Sequence, residues 1–363
     1  MARLFGRDYA RSDLLERVGQ LSQLAGAREY RLQGGPADGT HAIDVYTGSG
    51  FRFTVLPGRG MDVSHASYKG LPLGWISPAG EVSPWAYDPE GLGWLRTFAG
   101  GLLTTCGLAH AGHPQEDAGK RYGLHGRAST LVASNVVADG KWEGDSYRMW
   151  VKGRTREAAL YDDQLEMQRT ITAELGGKSL RIEDSVTNVG HMRSPHLMLY
   201  HINLGFPLLG RDAALVSTAV ETKSRDAEAA KSDEGPDRFV EPTAGYREKV
   251  YARSVKADRD GMAHVALVNE RLATGPLGLR ISFRRAELPE LNEWKMLGKG
   301  EYVLGLEPVT PGTLDRVAAR ESGKLVHLEP DATREYVVEI GVLDGAEEIA
   351  AFRRLCEGVV GGS

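Results

Sequence analysis

An antiparallel β-sandwich is the fold class this sequence predicts, on three observations. Its apolar segments are short and many alternate with polar residues, the period of a half-buried strand. Glycine- and proline-rich turns separate them, with 45 Gly and 16 Pro in 363 residues. Helical periodicity is confined to the two ends, whereas a parallel α/β fold needs a helix after nearly every strand.

Taken in order, Ser12 is expected to N-cap a short helix through Leu14, Leu15, Val18 and Leu21. His41–Tyr46 and Phe51–Leu56 flank Thr47-Gly48-Ser49-Gly50 and read as a hairpin. The stretch from Ser77 to Gly93, with Pro78, Pro84 and Pro89, reads as a long irregular connection. Leu165–Thr172 alternates, turns at Gly176-Gly177 and returns as Leu180–Val186. Arg225 to Glu241 is rich in charged and small residues and reads as a surface excursion. His264–Asn269 and Leu277–Phe283 form another expected hairpin, and Tyr336–Val342 a late strand. Ile349, Phe352 and Leu355 recur at helical spacing, predicting a C-terminal helix from Ala346 to Leu355. No repeat or linker divides the chain, so residues 1–363 are expected to form a single domain with short helical ends.

Bulk properties narrow the function. The hydrophobic fraction of 41% permits a sizeable core. A net charge of −5 speaks against a general nucleic-acid binder. No apolar run approaches a membrane span, and the N-terminus lacks an apolar signal core. Cys106 and Cys356 then read as free thiols in a reducing cytoplasm. Oligomeric state is not legible.

Three polar pieces stand out from the strand pattern. The first is His125 in Gly123-Leu124-His125-Gly126-Arg127; on a strand, His125 and Arg127 would aim at one side. The second is His201 in Tyr200-His201-Ile202-Asn203-Leu204, a His and an Asn inside an apolar run where both require partners. Each His read alone favours an ordinary role, a core imidazole on a carbonyl for His201 or an exposed turn for His125. The third is Glu307 in Gly305-Leu306-Glu307-Pro308, a carboxylate at a strand end; partial desolvation there would raise its pKa towards neutrality and fit it to act as a base, whereas a rim salt bridge is the commoner role of a single Glu. Two imidazoles and a carboxylate suffice to move protons on a polar substrate.

Other candidates flank these. Arg59, between Gly58 and Gly60, is placed to reach into a cleft or to cap a surface turn. With Arg96, Lys120, Arg121 and Arg127 it suggests affinity for an anionic group, against a solvated basic face as the plain alternative. Trp294 is suited to stack on a sugar ring or to fill the core, and Lys295 to bond a hydroxyl or anion. His110-Ala111-Gly112-His113 with Glu116 and Asp117 reads as a loop rather than a metal site. There is no phosphate-binding glycine loop, nucleophile-elbow serine or CxxC pair, and neither cofactor nor metal is expected.

The ordered set Gly-Leu-His-Gly-Arg, Tyr-His-Ile-Asn-Leu and Gly-Leu-Glu-Pro resembles the galactose mutarotase (aldose 1-epimerase) superfamily. Pro57-Gly58-Arg59-Gly60-Met61-Asp62-Val63 and Gly305-Leu306-Glu307-Pro308-Val309-Thr310 are most similar to its aldose 1-epimerase-like branch of unknown function. The resemblance implies a β-sandwich of the supersandwich type with a sugar in an open cleft. It implies Glu307 as general base at the anomeric hydroxyl and His201 as general acid at the ring oxygen. His125 and Arg59 would bind substrate, with Arg127, Asn203, Trp294 and Lys295 around them. The sequence departs from the pattern at Ile202, where an aromatic residue is usual. His196 is a rival for the acid. The hydroxyl-binding Asp of the family has only Glu241, Asp237 and Glu166 as stand-ins. The expected function is a carbohydrate-binding isomerase, a mutarotase interconverting sugar anomers. The alternatives are a non-catalytic carbohydrate-binding protein and an epimerase or lyase acting on an anionic sugar.

Overall fold

The computed structural model describes residues 1–225, 227–312 and 315–362. Two large antiparallel sheets dominate it. The larger runs in the order Ala219–Ser224, Lys249–Val255, Glu290–Gly298, Glu301–Val309, Leu199–Leu204, Leu103–Cys106, Asp62–Tyr68, Phe51–Leu56, His41–Tyr46, Gly26–Arg31, with Leu71–Pro72 pairing off Asp62–Tyr68. The second runs Ser134–Glu143, Ser146–Ala158, Gln164–Glu174, Ser179–Asn188, Thr333–Asp344, Leu277–Arg284, Met262–Asn269, Ala213–Ser217. Their inner faces share one apolar core that draws on the chain from Ala2 to Val342, as expected of a sandwich.

The hairpins at 41–56, 164–188 and 262–284 form where the alternation places them. Position in the sheet explains the patterns. Ser134–Glu143 lies at an edge and alternates exposed and half-buried residues. Leu199–Leu204 is central and buried at every position, because one face meets the second sheet and the other lies beneath connecting loops. That is why its sequence shows a continuous apolar run carrying an isolated His and Asn.

The ends differ from expectation. The first helix is only Arg11–Leu15; Leu21–Gln23 is a separate 3-10 turn. Gly19 between them disfavours continuation. Ser12 is not its cap: Ala10 occupies that position, its N–H donating to Asp13 Oδ2 at 2.9 Å. The C-terminal helix extends beyond Leu355 to Gly361. Its buried stripe is Ile349, Phe352 and Cys356 against Val216, Ala266, Val268 and Leu343, leaving Leu355 on the solvent side. The excursion after Arg225 contains a single short helix, Ala227–Ala230; Asp226 lies outside the described residues. Among the described residues no helix is long and apolar enough to cross a membrane. Both cysteines are free and buried.

The sheets are also joined by charge. Arg169, fully buried, donates from Nε and Nη2 to both carboxylate oxygens of Asp184, at 2.8 and 2.6 Å. Its Nη1 reaches Thr105 Oγ1 at 2.8 Å and Asp62 Oδ1 at 3.4 Å. Tyr200 donates its hydroxyl to Asp184 Oδ2 at 2.7 Å. Burial opposes the guanidinium charge, but Asp184, with Tyr200 and Asp62, more than offsets it and raises the Arg169 pKa. Replacing Arg169 with Leu leaves Asp184 buried without its hydrogen-bonded counter-charge and removes the principal one from Asp62. Stability is expected to fall by about 3–5 kcal/mol in urea unfolding. A loss below about 1 kcal/mol contradicts this account.

Candidate functional site

The outer face of the large sheet holds a row of side chains set by register. Leu199 pairs with Val309 and Ile202 with Leu306, so His201 stands opposite Glu307. Glu307 in turn pairs with Asn292, and Gly305 with Trp294. Directly opposed residues point to the same side of a sheet, so His201, Glu307, Asn292 and Trp294 converge. His201 Nε2 lies 3.2 Å from Glu307 Oε1. Gly305 keeps the floor open. A Cβ there would stand 3.0 Å from Glu307 Oε1, 3.1 Å from His201 Cε1 and 3.2 Å from the Trp294 Cβ.

Above this row is a cleft of about 350 Å³. One wall is aromatic. Trp94 stacks on Phe98 with ring centroids 4.5 Å apart, and Phe98 lies 5.3 Å from the His201 ring. The 3-10 turn Gly93–Arg96 carries Trp94 inward and turns Leu95, like the preceding Leu92, to the cleft mouth. The other wall is polar. Trp294 Nε1 donates to Glu248 Oε2 at 2.8 Å, and Arg225 bonds Glu248 Oε1 at 3.2 Å and His113 Nε2 at 3.1 Å.

His125 completes the lining, its ring 4.7 Å from Trp94 and 5.8 Å from His201. Its backbone is left-handed, φ +58°, in a turn rather than a strand. Gly126, at φ +72°, makes the turn possible; a Cβ there would meet His110 O at 2.1 Å.

The turn separates residues expected to act together. Arg127 lies over the Tyr87 ring and lines a different depression, with Lys120 and Glu157. Arg59 is buried elsewhere, donating to Ser129 O at 3.3 Å and Val82 O at 2.5 Å, and does not line the cleft. Lys295 adjoins Trp294 on one strand and therefore faces the other way, where its ammonium bonds Gly235 O and Arg238 O at 2.6 Å. Asn203 is spent on Gly101 O and His201 O, at 3.1 and 3.0 Å. His196 lies on the opposite face from His201, bonded to Leu108 O at 2.9 Å and the Tyr336 hydroxyl at 2.7 Å.

Of the basic residues expected to attract an anion, Arg96 and Arg121 are exposed outside the cleft, and Lys120 pairs with Asp162 and Asp163. Asp237, Glu241 and Glu166 do not line the cleft either; the acidic residue there besides Glu307 is Glu248. Sequence reasoning missed Glu248, Arg225 and Asn292, and placed His113 in a loop without a role in the cleft. Asn292 alone had a readable signal, an amide two residues before Trp294 and hence on the same strand face. Among the described residues no group of three or more His, Cys, Asp or Glu could hold a metal ion.

Burial dominates the electrostatics. It pushes the Glu307 carboxyl up to about 8, with the Asn292 amide and Arg225 opposing the rise. It pushes His201 down to about 4 and His125 well below the usual imidazole range. One proton is thus held by the His201–Glu307 pair around neutrality, and it resides on the carboxyl. Carbon-13 NMR of the Glu307 carboxyl is expected to show a midpoint near pH 8. An ordinary glutamate midpoint, about 4.3, contradicts the burial argument.

A family model described as "Domain of unknown function (DUF4432)" matches residues 37–342. No curated protein matches. A structure from Klebsiella pneumoniae subsp. pneumoniae MGH 78578, provisionally assigned as an aldose 1-epimerase, is 25% identical with a TM-score of 0.87, covering 94% of this chain and 90% of its own. A galactose mutarotase-like protein from Clostridium acetobutylicum is 14% identical with a TM-score of 0.59, covering 88% of this chain and 99% of its own. Galactose 1-epimerase from Lactobacillus acidophilus NCFM is 12% identical with a TM-score of 0.56, covering 89% of this chain and all of its own. The last two establish likeness of fold.

Proposed function

The chain belongs to the DUF4432 family, and we propose that it is a sugar mutarotase, opening and reclosing a pyranose ring by acid and base catalysis. The observation that carries this reading is the buried His201–Glu307 pair at 3.2 Å on the floor of an open cleft. Ring opening removes a proton from the anomeric hydroxyl and delivers one to the ring oxygen. A pair holding one proton between a carboxyl and an imidazole has the capacity for both transfers.

In the working direction the proton passes to His201, leaving Glu307 as carboxylate. Glu307 takes the anomeric proton while His201 protonates the ring oxygen, and the bond between that oxygen and the anomeric carbon breaks. The carbonyl carbon turns about the adjacent bond and the ring closes on its other face with the transfers reversed. The pair ends with the one proton it began with, so the cycle needs no redox partner. His125 Nδ1 and Asn292 Oδ1 are buried without hydrogen-bond partners among the described residues, and both belong to cleft-lining side chains. Sugar hydroxyls would satisfy them. Trp294 offers an aromatic face for the C–H side of the ring, and Glu248 with Arg225 the hydroxyl contacts.

The same features support a second reading, non-catalytic sugar binding, because His201 and Glu307 are both neutral near pH 7 and would serve as plain hydrogen-bonding groups. An anionic substrate gains no support: Arg59, Arg96, Arg121 and Arg127 lie away from the cleft, and Arg225 is paired with Glu248.

Exchange NMR between anomers across a sugar panel separates the two readings. Catalysis predicts that Glu307→Gln and His201→Asn each lower kcat/KM by at least about 100-fold with unfolding unchanged. Full activity in both variants removes the assignment; ligand-induced thermal stabilisation without any exchange favours binding alone. The wild-type rate is also expected to fall above about pH 8, where the pair loses its proton and with it the acid. It falls again below about pH 4, where His201 and Glu307 are both protonated and no base remains. An alkaline limb absent up to pH 10 contradicts the pair's role.

A further inference from the structure

The cleft is divided chemically, and the division bears on the sugar's exocyclic group; the argument rests on the mutarotase reading. Under that reading His201 faces the ring oxygen and Glu307 the anomeric hydroxyl. The ring carbon bearing the exocyclic group is bonded to the ring oxygen on the side away from the anomeric carbon. It therefore projects past His201, away from Glu307, Asn292 and Glu248.

On that side stand Phe98, 5.3 Å from the His201 ring, and Trp94 stacked upon it. Leu92 and Leu95 form the lip, 60% and 51% exposed. The Trp94 indole N–H is committed to Ser129 Oγ at 3.1 Å. Of the polar lining groups, His201 and His125 border this wall, and under the same reading both are engaged with the ring being opened. A hydroxymethyl group placed here loses water against leucine and aromatic carbon, whereas a methyl group gains by burial. A carboxylate or sulfonate would be desolvated with no Lys or Arg beside it among the described residues lining this wall, since Arg225 stands on the opposite wall and is paired with Glu248.

We propose that the substrate is a neutral 6-deoxyhexose, whose methyl group packs against Leu92, Leu95, Trp94 and Phe98. Apolar pockets discriminate modestly between groups differing by a hydroxyl, so a preference of about 10-fold over the parent hexose is expected.

Exchange NMR on matched pairs, 6-deoxyglucose with glucose and D-fucose with galactose, gives the ratio of kcat/KM directly, with glucuronate as the anionic arm. The wild type is expected to favour each deoxy sugar by about 10-fold and to leave glucuronate slowest. Leu95→Asn, a change at a half-exposed lip position, is expected to bring the ratio close to one. Equal or faster exchange of the parent hexoses or of glucuronate overturns the proposal, as does an unchanged ratio in Leu95→Asn. Saturation-transfer difference NMR supplies a readout independent of chemistry: the sugar methyl is expected to receive the strongest saturation. If no sugar exchanges, the mutarotase reading fails, and the substrate class is then decided by this binding signal alone, an unsaturated methyl overturning it.

Discussion

The site depends on a buried charge cluster that no substrate touches. Arg169 reaches from the second sheet to Asp184, Asp62 and Thr105, and Tyr200 closes the network through Asp184. Thr105 and Tyr200 are register partners on adjacent strands of the large sheet. Thr104 and His201 are the next pair along, facing the other way. The clasp therefore holds from beneath the two strands that set the imidazole above. Its energetic balance is narrow, because burial alone would disfavour every charge in it. Burial raises Asp62 to about 6, and Arg169 is the principal group opposing that rise.

The chemistry above the clasp uses the same physics with the opposite outcome. Glu307 and His201 are as deeply buried, but no guanidinium grips the carboxylate, so both groups retreat towards their neutral forms. A neutral pair is inexpensive to keep in an apolar cleft and still contains a transferable proton. Across the cleft, Arg225 and Glu248 act on Glu307 in opposite directions, so their influence partly cancels. The polar wall can then bond hydroxyl groups without drawing the proton off the carboxyl.

Several arginine and lysine assignments failed for a common reason. Arg59, Lys295 and Arg127 are cationic and near glycine, tryptophan or histidine in sequence, yet none lines the cleft. Lys295 could have been set aside by alternation alone, since Trp294 and Lys295 cannot share a strand face. Arg59 and Arg127 could not, because their directions depend on turns. The left-handed backbone at His125 rotates Arg127 out of line with it. Arg59 is drawn under the 3-10 turns by the carbonyls of Val82 and Ser129, residues far away in sequence. Glu248 and Arg225 were overlooked because each lies in a charged, ordinary-looking stretch.

Alternation, turn residues and sparse helical periodicity were sufficient to determine the antiparallel sandwich and its hairpins, since those signals are local. The sequence also singled out His125, His201 and Glu307, because a titratable group in an apolar strand or beside glycine stands out against its neighbours. What it did not contain was the pairing of strands distant in the chain. Only the tertiary structure placed Leu199–Leu204 beside Glu301–Val309 and Glu290–Gly298, bringing His201, Glu307 and Asn292 into one row. Only the packed loops made that row dry enough to shift its protons, because desolvation belongs to the surroundings of a residue and not to its identity.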